Sequence, residues 1–186
     1  MRRALLFGLV MTLFALLTPG VGQANPWYGP WLMQNARTGK CIDLPGYGAG
    51  TIDGPVNQYT CRPYGDNQMW QLAYKPNEGS NAVVALYNTA DNLCLDLPYY
   101  GSVAPGTRVT EYTCAGPEDN QYFVVVKRSG GGSIPEGYWF VHQKSRLCLD
   151  VDGFGTGGDD APLTLWHCSD ADDHIWNNRA PYYFRG

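Results

Sequence analysis

One segment is written three times along the chain, and it limits the fold more than any other feature. The first copy reads Cys41-Ile42-Asp43-Leu44, then Val56-Asn57-Gln58-Tyr59-Thr60-Cys61, then Asp66-Asn67-Gln68-Met69-Trp70. The second reads Cys94-Leu95-Asp96-Leu97, then Val109-Thr110-Glu111-Tyr112-Thr113-Cys114, then Asp119-Asn120-Gln121-Tyr122-Phe123. The third reads Cys148-Leu149-Asp150-Val151, then Leu163-Thr164-Leu165-Trp166-His167-Cys168, then Asp173-His174-Ile175-Trp176. In each copy the second cysteine follows the first by 20 positions, and successive copies start 53 and 54 residues apart. A fixed period of this length marks a repeat architecture, in which a single unit cannot bury its apolar face without neighbours.

No stretch keeps apolar residues at helical spacing over several turns. Short β-prone runs such as Ala82 to Tyr87 and Tyr138 to His142 lie between turn signals, in a chain with 23 Gly and 13 Pro. The pattern predicts an all-β chain. Three units, each with room for about four short strands, fit a β-trefoil with pseudo-three-fold symmetry. The expected repeats cover about 27–75, 76–131 and 132–186. A propeller needs more than three blades to close. Trp70, Phe123 and Trp176 recur at the end of each copy and are expected to meet in the core at the three-fold centre.

Residues 1–24 read as a secretory signal peptide: Arg2 and Arg3, an apolar run from Ala4 to Leu17, a break at Thr18-Pro19-Gly20, and small residues at Gly22 and Ala24. The apolar run is too short to span a bilayer, so the expected product is a secreted domain over 25–186 with no membrane insertion. The six cysteines of an exported chain imply disulfides. Because the same two recur in each copy, the economical pairing is Cys41–Cys61, Cys94–Cys114 and Cys148–Cys168. Zinc would want paired cysteines or histidines at ligand spacing, which this sequence lacks. The chain has 13 basic and 17 acidic side chains. Losing Arg2 and Arg3 leaves 11 against 17, a net charge of −6. That balance, without a basic run, argues against nucleic acid as a partner.

Strand alternation places Cys41 and Asp43 on one face and Ile42 and Leu44 on the other. Asn57, Tyr59 and Cys61 likewise share a face. A cystine joining directly opposed residues would set Asp43 against Tyr59, with Asn57 just beyond. The other copies would set Asp96 beside Tyr112 and Thr110, and Asp150 beside Trp166 and Thr164. A carboxylate accepts hydrogen bonds in fixed directions, and a flat ring stacks on the C–H face of a pyranose. The grouping suits a sugar, and its threefold recurrence favours that reading over an aspartate that merely satisfies a turn.

These residues resemble the ricin B-type β-trefoil lectins, whose repeats carry a Gln-x-Trp signature, and the ricin-type modules of secreted actinobacterial proteins. Gln68-Met69-Trp70 matches that signature in full, Gln121-Tyr122-Phe123 keeps the Gln, and His174-Ile175-Trp176 keeps the Trp. The resemblance covers about 27–183. It implies a metal-independent carbohydrate-binding protein, neither enzyme nor cofactor-dependent, whose partners are galactose-type or related glycans. The implied first site is Asp43, Asn57, Tyr59, Asn67 and Gln68. The second is Asp96, Tyr112, Asn120 and Gln121, and the third Asp150 and Trp166. At the third, Asp173 and His174 replace the expected Asn and Gln, so that site is expected to be altered or silent. Two other roles remain open: an accessory polysaccharide-targeting module for a glycoside hydrolase acting in trans, and a trefoil inhibitor or protein-interaction scaffold.

Other signals have plainer readings. Gly153 to Gly158 satisfies a G-x-G-x-x-G pattern but lacks the following helix and aligns with loops 45–48 and 98–101. Tyr47, Tyr100 and Phe154 on those loops could wall the sugar sites. His142, His167 and His174, with Ser145 or Ser169, lack a nucleophile-elbow context. Asp159-Asp160 and Asp172-Asp173 read as solvated surface without calcium-loop spacing.

Overall fold

A computed structural model describes residues 27–76, 78, 82–116, 118–155 and 157–181. The leader expected at 1–24 lies outside them. The described residues hold thirteen strands and no α-helix. The first repeat carries β1 (Trp27–Asn35), β2 (Cys41–Asp43), β3 (Asn57–Tyr59) and β4 (Met69–Tyr74). The second carries β5 (Val83–Asn88), β6 (Leu93–Asp96), β7 (Thr107–Arg108), β8 (Thr110–Thr113) and β9 (Phe123–Arg128). The third carries β10 (Gly137–His142), β11 (Cys148–Val151), β12 (Leu163–Trp166) and β13 (Trp176–Arg179).

The first and last strand of every repeat form a closed ring, each pairing antiparallel with the next: β1–β4–β5–β9–β10–β13 and back to β1. Closure leaves the ring without edges to protect. Six of the remaining strands form one hairpin per repeat, β2–β3, β6–β8 and β11–β12, and the short β7 pairs with β12. This is the β-trefoil that the repeat predicts.

Alternation decides which side chains enter the core. Ile42, Leu44, Leu95, Leu97, Leu149 and Val151 are buried together with Trp70, Phe123 and Trp176 in one cluster. Trp70 Nε1 donates to Ile42 O (3.2 Å) and Trp176 Nε1 to Leu149 O (3.1 Å). A buried indole N–H wants such a partner. Phe123 has no N–H, so the exchange of Trp for Phe leaves no donor stranded.

The three disulfides pair as the repeat predicts, each with Cα atoms 5.0 Å apart. The predicted register needs correction. Cys41 lies opposite Tyr59 and Asp43 opposite Asn57. Cys94 lies opposite Tyr112 and Asp96 opposite Thr110, while Cys148 faces Trp166 and Asp150 faces Thr164. The pairing is shifted by two residues because β3 ends at Tyr59 and Cys61 curls back past the strand end to reach Cys41 diagonally. A shift of two preserves the face of every side chain, so aspartate and aromatic still point to the same side. The direct partner of the aspartate is Asn57, Thr110 or Thr164, and the ring sits across from the cysteine.

Candidate functional site

Each repeat opens one cavity at its hairpin, and the same positions build all three. The first, about 230 Å³, is lined by Asp43, Gly46, Tyr47, Tyr59, Arg62 and Asp160. The second, about 270 Å³, is lined by Asp53, Asp96, Asp119 and four ring residues including Tyr100 and Tyr112. The third, about 310 Å³, holds Asp150, Asp152, Asp172, Phe154, Trp166 and Gly106 among its lining. Tyr112 and Trp166 are 40% and 45% exposed, large rings left open to solvent. Tyr59 is only half-exposed, because the Arg62 guanidinium lies over it, 4.6 Å from the ring centre, and 5.2 Å from that of Tyr47.

The aspartates are held from behind. Gln68 Nε2 donates to Asp43 Oδ1 (2.8 Å) and Thr60 O (3.1 Å), while Gln68 Oε1 accepts from Arg62 N (2.6 Å). Gln121 repeats this on Asp96 Oδ1 (3.0 Å), Thr113 O (3.0 Å) and Ala115 N (2.8 Å). Asn67 accepts from Leu44 N (3.2 Å) and donates to the carbonyls of Leu44, Gly46 and Gly48, stitching the loop that carries Tyr47. Asn120 donates to Pro98 O and Gly101 O in the second repeat. All four amides are essentially fully buried. The expectation that Asn67, Gln68, Asn120 and Gln121 face outward with the aspartates is therefore corrected. They are positioning residues; of the residues expected in these two sites, the aspartates and the rings Tyr59 and Tyr112 line the cavities, and Asn57 does not.

The third repeat reaches the same result with other chemistry. Ser169 N donates to His174 Nδ1 (2.9 Å), as Arg62 N does to Gln68. The neutral imidazole then carries its proton on Nε2. Nε2 lies 2.8 Å from Asp150 Oδ1, off the line of an aligned N–H bond, and 3.8 Å from Asp172 Oδ2. Asp173 accepts from Val151 N (3.1 Å) and Gly155 N (3.0 Å), holding the loop through its N–H groups where Asn67 holds carbonyls. Thr164 Oγ1 donates to Asp150 Oδ2 (2.7 Å). The departures at 173 and 174 thus leave Asp150 supported and Trp166 exposed. They also correct the expectation of a solvated pair, since Asp172 and Asp173 are buried.

Burial pushes the Asp43 carboxyl up to about 6, with the Asp66 and Asp160 charges adding to it against the Gln68 hydrogen bond and Arg62. Burial also pushes Asp96 to about 6, opposed by Gln121 and reinforced by Asp119 and Asp53. Asp173 is raised by burial and by the neighbouring Asp150 and Asp172 carboxylates. Ligand atoms of Asp150, Asp172, Asp173 and His174 lie within 4.8 Å of one another, the spacing of a metal set. The donors as they are oriented do not suit a metal. His174 presents an N–H to the group, and both Asp173 oxygens are engaged by the backbone.

His142 and Ser145 do meet, with Nδ1 and Oγ 2.8 Å apart. His142 is fully buried and donates from Nε2 to Asn120 O (2.8 Å), while Ser145 Oγ accepts from Val103 N (2.7 Å). The pair ties the third repeat to the second and lines none of the three hairpin cavities.

Sequence reasoning missed one set of lining residues. Asp53, Gly106 and Asp160 each line the cavity of the neighbouring repeat, so every site is completed across a repeat border. All three hold left-handed backbone, at φ 61°, 82° and 64°. Each stands twelve positions after its repeat's first cysteine, and Asp and Gly are residues that tolerate this conformation. That recurrence was the available signal.

A closed trefoil with one acid-and-aromatic cavity per repeat has the build of a trefoil lectin. The chain belongs to the ricin-type β-trefoil lectin domain family, which it matches over residues 30–176. The designed three-fold symmetric protein ThreeFoil is similar in structure, with a TM-score of 0.66 at 23% identity, covering 80% of this chain and 96% of that one. The Rhizoctonia solani agglutinin has a TM-score of 0.61 at 19% identity, covering 82% and 94%. The Macrolepiota procera ricin B-like lectin, solved in complex with lactose, has a TM-score of 0.60 at 19% identity, covering 86% and 99%. At these identities the likeness shows the fold. No curated protein matches the sequence.

Proposed function

We propose that the protein is a secreted lectin that binds galactose-type or related glycans through up to three sites, without a metal and without chemistry on the sugar. The carrying observation is that every repeat presents a carboxylate, fixed from behind, in an open cavity with an aromatic ring: Asp43 with Tyr59, Asp96 with Tyr112, and Asp150 with Trp166. Lactose bound to a lectin of the same fold supports the galactose-type reading. The leader pattern at 1–24 and three disulfides support export. Open cavities of this size bind weakly one at a time, so avidity rests on engaging several together.

The test is a glycan array on the oxidised mature chain, followed by Asp43→Ala, Asp96→Ala and Asp150→Ala. Each change is expected to weaken binding by about five-fold or more, the loss of one charged acceptor. Binding that none of the three changes touches would overturn the site assignment, and a blank array would overturn the lectin reading.

A further inference from the structure

The three cavities share one architecture but differ in where positive charge stands. In the first, the Arg62 guanidinium lies over Tyr59 and Tyr47, with Nη1 3.5 Å from Asp66 Oδ2. In the third, the Arg37 guanidinium is 5.9 Å from the centre of Phe154, the equivalent of Tyr47. The second has the same ring pair, Tyr100 and Tyr112, and the same acid, Asp119, but Ala115 stands where Arg62 does. Its lining holds three carboxylates, Asp53, Asp96 and Asp119, and no cationic side chain; the third lining also holds three, Asp150, Asp152 and Asp172, but there the Arg37 guanidinium stands at the ring. Lys144 bonds the carbonyls of Tyr100 and Glu118 from outside that lining.

The first repeat therefore demonstrates, with its own side chain, that this ring pair and its acids accept a cation. We propose that the second site recognises a positively charged saccharide, an amino sugar whose amine is free, with the ammonium seated at the Tyr100 and Tyr112 rings and facing Asp96 and Asp53. The inference rests on the lectin reading and assigns the second site a ligand class. Rings beside carboxylates are the chemistry that recognises ammonium groups. An N-acetylated sugar has lost that charge, and an acidic sugar would meet three like charges. Asp53 reaches the site across the border between the first two repeats, as Asp160 reaches the first site, where Arg62 already supplies the cation. Gly106 occupies the equivalent place in the third site and brings no charge. The raised Asp96 carboxyl is consistent with crowding that a bound cation relieves.

Isothermal titration of the oxidised mature protein with the methyl glycosides of galactosamine, N-acetylgalactosamine and galactose tests this. The amine is expected to bind about ten-fold tighter than either neutral sugar, and the preference should shrink with added salt. Ala115→Arg, at an exposed position, supplies the internal cation of the first repeat and should remove the preference. Asp53→Asn keeps a residue that tolerates the left-handed turn and should reduce the preference by several-fold. Arg62→Ala should add a second amine-preferring site to the stoichiometry. Equal affinity for amine and neutral sugars, or a preference untouched by Ala115→Arg, would overturn the proposal while leaving the lectin reading standing. Failure of all three sugars to bind would overturn both.

Discussion

The first repeat and the two that follow use the same hydrogen-bond connectivity and fill it with different groups. In the first, the buried polar positions are neutral amides: Gln68 behind Asp43, Asn67 under the loop, and Gln58 at the border with the third repeat. Gln58 Nε2 donates to Gly157 O (2.7 Å), and its Oε1 accepts from Thr38 Oγ1 (2.7 Å). The second repeat keeps amides at two of these places, Gln121 and Asn120, but elsewhere in the later repeats ionisable groups take over. His174 stands for Gln68, Asp173 for Asn67, and Glu111 for Gln58. An amide brings both donor and acceptor at any pH, whereas an imidazole or carboxyl does so only in one protonation state. Connectivity is thus a property of the repeat, and pH sensitivity is a property of the residue chosen to fill it.

The strongest way to break this comparison is at His174. Removing the ring in His174→Ala leaves the Ser169 N–H without its acceptor and opens a void beside Asp150 Oδ1, while Thr164 still bonds Asp150 Oδ2. The expected loss is about 3 kcal/mol, read from the denaturant midpoint of the oxidised mature chain. His174→Gln should recover most of it, since Gln68 and Gln121 perform the same task on Asp43 and Asp96. If the Gln variant is as unstable as the Ala variant, the imidazole does something an amide cannot, and the equivalence is wrong.

Glu111 gives the next largest effect. It is fully buried, neither carboxyl oxygen has a hydrogen-bond partner, and burial together with the nearby Asp91 carboxylate raises its carboxyl to about 9. Gly50 lies between the two acids. Its N–H donates to Asp91 Oδ2 (2.9 Å), and a side chain there would collide with Glu111 Oε2. Glu111 and Asp91, both of the second repeat, thus face each other beside Gly50 of the first, and burial keeps the Glu111 carboxyl protonated there. Because its folded value lies above the ordinary 4.5, the stability linked to this proton is complete below about pH 4.5 and is lost as pH rises toward 9. Glu111→Gln installs the amide of the first repeat. We expect it to flatten that decline and to stabilise the protein by about 2 kcal/mol at pH 8. A variant that follows the same pH curve as the parent would show that Glu111 does not carry the dependence.

These differences mark how far the sequence could be read. The trefoil was legible because period, cystine spacing and the Trp70, Phe123 and Trp176 anchors are matters of spacing. The faces of Asp43, Tyr59 and their equivalents were legible because alternation survives a register shift of two. The register itself was not, since nothing local says that Cys61 lies beyond the strand end. Asn67 and Gln68 were misplaced because a polar type in a motif does not reveal which side of the hairpin it serves. Arg62 over the rings and Asp53 across the repeat border are tertiary facts. Only the left-handed position twelve residues after each first cysteine hinted at the latter. Asp173 and His174 read as departures that alter or silence the third site because residue type was compared, when the partner atoms, Ser169 N, Val151 N and Gly155 N, decide their roles.

The smallest effect marks where the repeats stop differing. Behind the cavity the first repeat is neutral, but within it Asp43 is raised to about 6, as Asp96 is in the second. Gln68 and Gln121 each favour the ionised form, yet burial outweighs them in both places. An ionised carboxylate accepts from sugar hydroxyls with both oxygens, and a protonated one loses an acceptor. Affinity for a neutral galactoside should therefore fall by about five-fold, or about 1 kcal/mol, between pH 8 and pH 5. The fall should centre near pH 6 at both sites. Titration of the Asp96→Ala/Asp150→Ala and Asp43→Ala/Asp150→Ala variants isolates the first and second sites in turn. A flat profile at both would mean that the sugar does not touch these carboxylates. A fall at the second site alone would mean that Arg62 holds Asp43 ionised in solution, extending the contrast between the repeats into the cavity itself.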